Sequence, residues 1–73
     1  MTTIKVTELV GQSKTSWQDA VHTAVKEAAK TVRNISGVEV YNLTADVQDG
    51  NIVEYKANVK IAFRVEPDRG TSR

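Results

Sequence analysis

The stretch that decides the fold is VEVYNLTADVQDGNIVEYKANVKIAFRV, residues 38–65. Its second half places Val53, Tyr55, Ala57, Val59, Ile61, Phe63 and Val65 at every second position. Successive side chains of an extended chain point to opposite faces, so this spacing gathers an unbroken apolar set on one side of a strand. Glu54, Lys56, Asn58, Lys60, Ala62, Arg64 and Glu66 fall on the other side as a mainly polar row. The first half, Val38 to Val47, is rich in β-branched and aromatic residues and reads as a partner strand. Between the two, Asp49, Gly50 and Asn51 tolerate positive φ, which predicts an antiparallel hairpin.

Working outward, Ile4, Val6, Glu8 and Val10 alternate with Lys5, Thr7 and Leu9 up to Gly11, a period-two pattern that predicts a first strand over 3–10. A polar loop, Gly11 to Lys14, follows. Thr15 with Gln18 and Ser16 with Asp19 both fit a capping box, where a hydroxyl satisfies a free amide at a helix start. Trp17, Ala20, Val21, Ala24, Val25, Ala28 and Val32 then keep helical spacing, with Gln18, Asp19, Lys26, Lys30 and Arg33 opposite. The expected amphipathic helix spans roughly residues 16–34, with Lys30 and Arg33 in its last turn and Gly37 as a left-handed stop. The order is β-α-β-β: an α+β fold in which a three-stranded, mostly antiparallel sheet wraps around one helix. It forms a single domain, 1–66, with a polar tail, 67–73.

A 73-residue chain without cysteine has neither a disulfide nor a common zinc pattern to supplement its core. A core of this size rarely supplies more than ~3–5 kcal/mol, which leaves association as the remedy. Element lengths agree: a helix of ~18 residues covers about 27 Å, whereas a strand of ~14 residues reaches roughly 45 Å. The overhang calls for other copies of the chain. Ten basic and nine acidic side chains are interspersed for a net charge of +1, which disfavours a nucleic-acid partner or a charged membrane surface. Residues 1–10 contain no continuous apolar run, so a cytoplasmic location is the default expectation.

Catalytic groups are scarce. His22 stands alone on the polar helix face, without an orienting partner, and no serine sits in a nucleophile-elbow context. The chain therefore reads as a binder and not as an enzyme. Asp46, Asp49, Asn51 and Glu54 cluster about the hairpin but lack the spacing of a calcium-binding loop; turn chemistry explains them, while copies arranged about an axis would leave a metal ion open as a ligand. Lys56, Lys60 and Arg64 share the polar row of the last strand, where charge-assisted hydrogen bonds suit a small anionic ligand. Trp17 begins the apolar helix stripe and reads as a core residue.

Several stretches together resemble the dodecins, small flavin-binding proteins that assemble as hollow spheres of twelve subunits. They are Glu8-Leu9-Val10-Gly11 with Ser13 beyond it, the alanine-rich run from Ala20 to Val32, Val38-Glu39-Val40, and Glu54-Tyr55 leading to Ala62-Phe63-Arg64-Val65-Glu66. The resemblance implies a hollow homo-dodecamer with flavin (FMN or riboflavin) held in stacked pairs between subunits. In that family a tryptophan before the second strand stacks on the flavin, and a glutamine after the third strand's tyrosine bonds its edge. Here those positions carry Gly37 and Lys56, and an arginine late in the second strand is matched by Thr44, while Arg64 keeps the arginine that follows the phenylalanine. Stacking on a nucleobase contributes ~1–3 kcal/mol, so loss of the tryptophan weakens flavin roughly five- to more than a hundredfold. The expectation is a dodecin-like storage shell with a degenerate flavin site, whose ligand is anionic or a metal ion. A shell that still binds flavin through a rearranged pocket is the alternative, and a small-molecule enzyme is the third class.

Overall fold

The computed structural model describes residues 3–65; the expected tail, 67–73, lies outside them. Strand β1 is Thr3–Ser13, helix α1 Trp17–Ala29, strand β2 Ile35–Gln48 and strand β3 Asn51–Val65. The sheet order is β1-β3-β2 and both pairings are antiparallel. The hairpin turn is the two-residue Asp49–Gly50, at φ 51° and 78°, the doubly positive conformation that matches the twist of a tight hairpin.

Alternation on β3 holds in the middle of the strand, while Val53, expected on the same apolar face, stays exposed beyond the reach of the helix. Ala57, Val59 and Ile61 are fully buried and meet Ala20, Ala24 and Ala28 of the helix, with Leu9, Val21, Val25 and Ile35 packed at the margin. Alanine at every fourth helical position leaves a flat ridge, and Gly11 lies directly beneath it: a methyl there would overlap the carbonyl oxygen of Ala20. Helix and sheet thus approach closely because both surfaces are small.

Strand β1 runs three residues past its expected end, because Gly11 and Ser13 pair with Ala57 and Tyr55 and are buried under the helix. Ser13 replaces the expected loop with a hydrogen-bonded corner. Its hydroxyl donates to Asp19 Oδ2 at 2.8 Å and accepts from the Thr15 amide at 2.9 Å. Of the two caps the sequence offered, Ser16 is the one used, its hydroxyl accepting from the Asp19 amide at 3.0 Å.

The helix ends at Ala29, five residues before its expected limit, and Lys26 is the basic residue of its last turn in place of Lys30 and Arg33. Thr31 and Val32 turn their amides back to the Ala28 carbonyl, and Asn34 takes the left-handed conformation at φ 61°. The Asn34 carbonyl then accepts from the Arg64 amide at 3.0 Å, which draws the chain into the sheet. Gly37 is therefore not the helix stop: it lies within β2, opposite Ala62, and its φ is not in the left-handed region.

The 13-residue helix is about 20 Å long, whereas the 15 residues of β3 extend about 50 Å. The helix lies over β1 and β3 and hardly reaches β2. Besides Val47, Ile52 and Val53 near the hairpin, two apolar stripes stay uncovered among the described residues. Val38, Val40 and Leu43, opposite Ile61, Val59 and Ala57, are on the helix side beyond its reach. Ile4, Val6 and Val10, each more than half exposed, are opposite Arg64, Ala62 and Asn58 on the face turned away from the helix. Among the described residues no helix is long and apolar enough to cross a membrane.

Candidate functional site

The helix-free face of the sheet holds the residues singled out above. Because antiparallel partners share a face, the register stacks it in rungs. Gln12, Lys56 and Thr44 form one rung, Val10, Asn58 and Asn42 the next, then Glu8, Lys60 and Glu39, then Val6, Ala62 and Gly37, and finally Ile4 with Arg64.

This ladder brings some expected site residues together and separates others. Gly37, Lys60 and Arg64 fall on neighbouring rungs. Lys56 lies six positions along β3 from Ala62, the partner of Gly37, about 20 Å away. Within one protomer Gly37 and Lys56 cannot touch the same small ligand. Lys56 is also engaged: its ammonium is 3.3 Å from Asp46 Oδ2, with both side chains partly exposed. An ion pair in such a setting contributes roughly 0–1 kcal/mol and yields readily to a competing anion.

Around Gly37 the surface is open, with no atom within 4 Å of where a Cβ would stand. Nearer the hairpin, beyond the rung of Glu39 and Lys60, β2 carries an irregularity between Val40 and Asn42 that leaves Tyr41 without a partner on β3. Tyr41 lies against the helix-free face, 44% exposed. Its hydroxyl donates to Glu8 Oε1 at 3.3 Å, and the Lys60 ammonium sits 5.1 Å from its ring centroid. Among the described residues Lys60 forms no ion pair within 4 Å, although Glu8 and Glu39 flank it; the aromatic ring is its neighbour instead. Sequence reasoning passed over Tyr41, whose only signal is that Val40-Tyr41-Asn42 interrupts alternation.

The other end of the sheet is built differently. A cleft of about 650 Å³ opens beside the hairpin, lined by Lys14, Asp46, Gln48 and Glu54 with Ala45, Val47 and Val53. Asp46 and Glu54 are cross-strand partners there, but among the described residues no three His, Asp or Glu side chains converge on one point. Trp17 is not a core residue: its indole is only partly buried, packs edge-on to Tyr55 with centroids 4.8 Å apart, and donates from Nε1 to the Thr44 carbonyl at 2.8 Å. The helix start is thereby tied to β2 at the position where the resemblance implied an arginine. His22 is exposed on the helix.

Comparison with known proteins fits this geometry. A family model described as Dodecin matches residues 3–66. A dodecin of Thermus thermophilus is 31% identical over 62 residues, covering 85% of this chain and 90% of that protein. The solved dodecin of Streptomyces coelicolor superposes with a TM-score of 0.87 at 33% identity, over 92% of this chain and 96% of that one. The calcium dodecin of Mycobacterium tuberculosis, a calcium-chelating antigen with a novel calcium-binding site, gives a TM-score of 0.76 at 30% identity, over 90% and 94%. With its β-α-β-β order, antiparallel sheet and single helix shared across nearly the whole length, this chain belongs to the dodecin family.

Proposed function

We propose that this chain is the protomer of a closed homo-oligomeric shell, a dodecamer, that binds and holds a small ligand on the helix-free sheet face and does no chemistry on it. The observation that carries the reading is the pair of uncovered apolar stripes on opposite sides of one sheet, neither of them covered by the single helix. Burial of apolar area at about 25 cal/mol per Å² favours covering both with further copies. Assembly also supplies what a single protomer lacks, since Gly37 and Lys56 lie too far apart within one copy to share a small ligand and need a second copy to do so.

The ligand is anionic in this reading. Lys56, Lys60 and Arg64 supply cations along the face, while the stacking and edge positions of a flavin pocket carry Gly37 and Lys56, a donor without an acceptor. A metal ion is the second reading, favoured by the calcium-chelating relative and by Asp46 and Glu54 beside the cleft; it requires donors from more than one copy.

Calorimetric titration of the intact oligomer with FMN, inorganic phosphate and calcium chloride separates these. Phosphate-bearing ligands should bind, and Lys56→Gln should weaken them several-fold, on the order of ~1 kcal/mol for a half-exposed charge-assisted contact, with assembly unchanged. FMN binding unaffected by Lys56→Gln removes Lys56 from the site. Calcium binding without any phosphate or FMN binding overturns the anionic reading.

A further inference from the structure

We infer that the cleft beside the hairpin is a second binding site, separate from the anion contact at Lys56, and that it takes a small zwitterion with an aliphatic body, the chemistry of a free aliphatic amino acid. The Lys14 ammonium and the Glu54 carboxylate are its two poles.

Three observations converge. First, the charges of the cleft do not close on one another. Its lining holds two carboxylates, Asp46 of β2 and Glu54 of β3, and one ammonium, Lys14 from the corner between β1 and α1. Asp46 is neutralised by Lys56, which does not line the cleft, at 3.3 Å. Among the described residues Lys14 and Glu54 form no ion pair within 4 Å, with each other or with any third group. Opposite charges that face one cavity yet stand too far apart to join are complementary to a ligand that carries both signs. Second, apart from Gln48 the rest of the lining is apolar. Cross-strand pairing passes from Asp46–Glu54 to Val47–Ile52, so Val53 is an extra residue on β3, and such bulges re-aim a side chain out of strict alternation. Val53 joins Ala45 and Val47 in the lining and stays exposed with Val47. Third, the volume of about 650 Å³ suits a small organic molecule and far exceeds what a single ion fills.

The two poles select against simpler ligands. A plain anion gains Lys14 but is opposed by Glu54, and a plain amine or metal ion gains Glu54 but is opposed by Lys14. A zwitterion meets both, and its aliphatic body covers Val47 and Val53, whose apolar surface is otherwise left to water. Because the cleft is open to solvent, each charged contact is screened and changes affinity by no more than about fivefold.

The test is calorimetric titration of the intact oligomer with L-leucine and with its two halves, isocaproate, which lacks the ammonium, and isoamylamine, which lacks the carboxylate. Emission of Trp17 gives a second readout, since it is the only tryptophan and its indole is bonded to the Thr44 carbonyl, next to Ala45 of the lining. L-Leucine should bind about three- to fivefold more tightly than either half. Lys14→Met should weaken leucine and isocaproate by that factor and spare isoamylamine, and Glu54→Gln should weaken leucine and isoamylamine and spare isocaproate, each variant keeping native mass. Should a variant fail to assemble, leucine against its halves on the parent decides alone. Phosphate binding dependent on Lys56 should be unchanged in both variants, so this site and the anionic reading fail separately. No binding of leucine overturns the inference. So does isocaproate or isoamylamine binding as tightly as leucine, or a leucine affinity that neither assembled variant lowers.

Discussion

Two glycines with opposite surroundings offer a controlled test of how helix and sheet fit. In Gly11→Ala the added methyl overlaps the Ala20 carbonyl oxygen and stands 3.0 Å from both the Ala20 carbonyl carbon and Ala24 Cβ. Alanine has no side-chain torsion with which to retreat, and Ala20 and Ala24 are 0% and 3% exposed, so the helix itself must lift. Lifting it loosens the contacts of Ala20, Ala24 and Ala28 with Ala57, Val59 and Ile61, the buried apolar core among the described residues. Overpacking costs about 1–3 kcal/mol, and a clash with backbone belongs at the upper end. At 4–8 °C per kcal/mol for a domain of this size, a loss of about 2 kcal/mol lowers the melting temperature by roughly 8–16 °C. Gly37→Ala adds the same methyl to open space at ordinary φ and should stay within about 0.5 kcal/mol of the parent. Thermal melts followed by far-UV circular dichroism, at one fixed protein concentration, compare the two. Gly11→Ala melting within 2 °C of the parent, or Gly37→Ala falling as far as Gly11→Ala, would refute the packing argument.

Ser13→Ala removes a buried hydroxyl that joins Asp19 and Thr15 at the strand-to-helix corner, and should cost about 1–3 kcal/mol in denaturant unfolding; a midpoint equal to that of the parent would make the corner dispensable. Gly37→Trp with Lys56→Gln restores a ring platform and an edge group, and since Gly37 has no left-handed backbone the tryptophan meets no strain there. The double variant should quench riboflavin fluorescence more strongly than the parent does. An intact oligomer of that variant with no gain would show that the pocket differs beyond these two positions.

The alternation of β3 was enough to find the sheet and its buried side, since Ala57, Val59 and Ile61 occupy the positions expected of them. Asp49–Gly50 likewise announced its turn, because few dipeptides suit two positive φ angles in succession. The end of the helix was less legible. Its amphipathic spacing continues through Val32 and Arg33, while what stops it is the pairing of the Asn34 carbonyl with Arg64, a contact from thirty residues away along the chain. On β1 the bulky residues Ile4, Val6 and Val10 advertise a buried face, yet the helix sits on the side of Leu9, Gly11 and Ser13, where small residues let it approach. Composition alone does not say which side of a strand a helix will choose.

The candidate site divides the same way. Lys56, Lys60 and Arg64 were placed on one face by simple parity, and the register keeps them there. The distance between Gly37 and Lys56 was hidden, because it depends on which rung of β3 each strand meets. Tyr41 was hidden for a related reason: a bulge is a property of two strands in register and leaves only a break in alternation on one of them.

The central claim is that the uncovered stripes are subunit contacts, and mass in solution tests it most directly. Light scattering coupled to size exclusion at neutral pH should give about 96 kDa, twelve times the 8.0 kDa of one chain. A folded, stable species of 8.0 kDa, with Ile4, Val6 and Val10 left open to water, would contradict it.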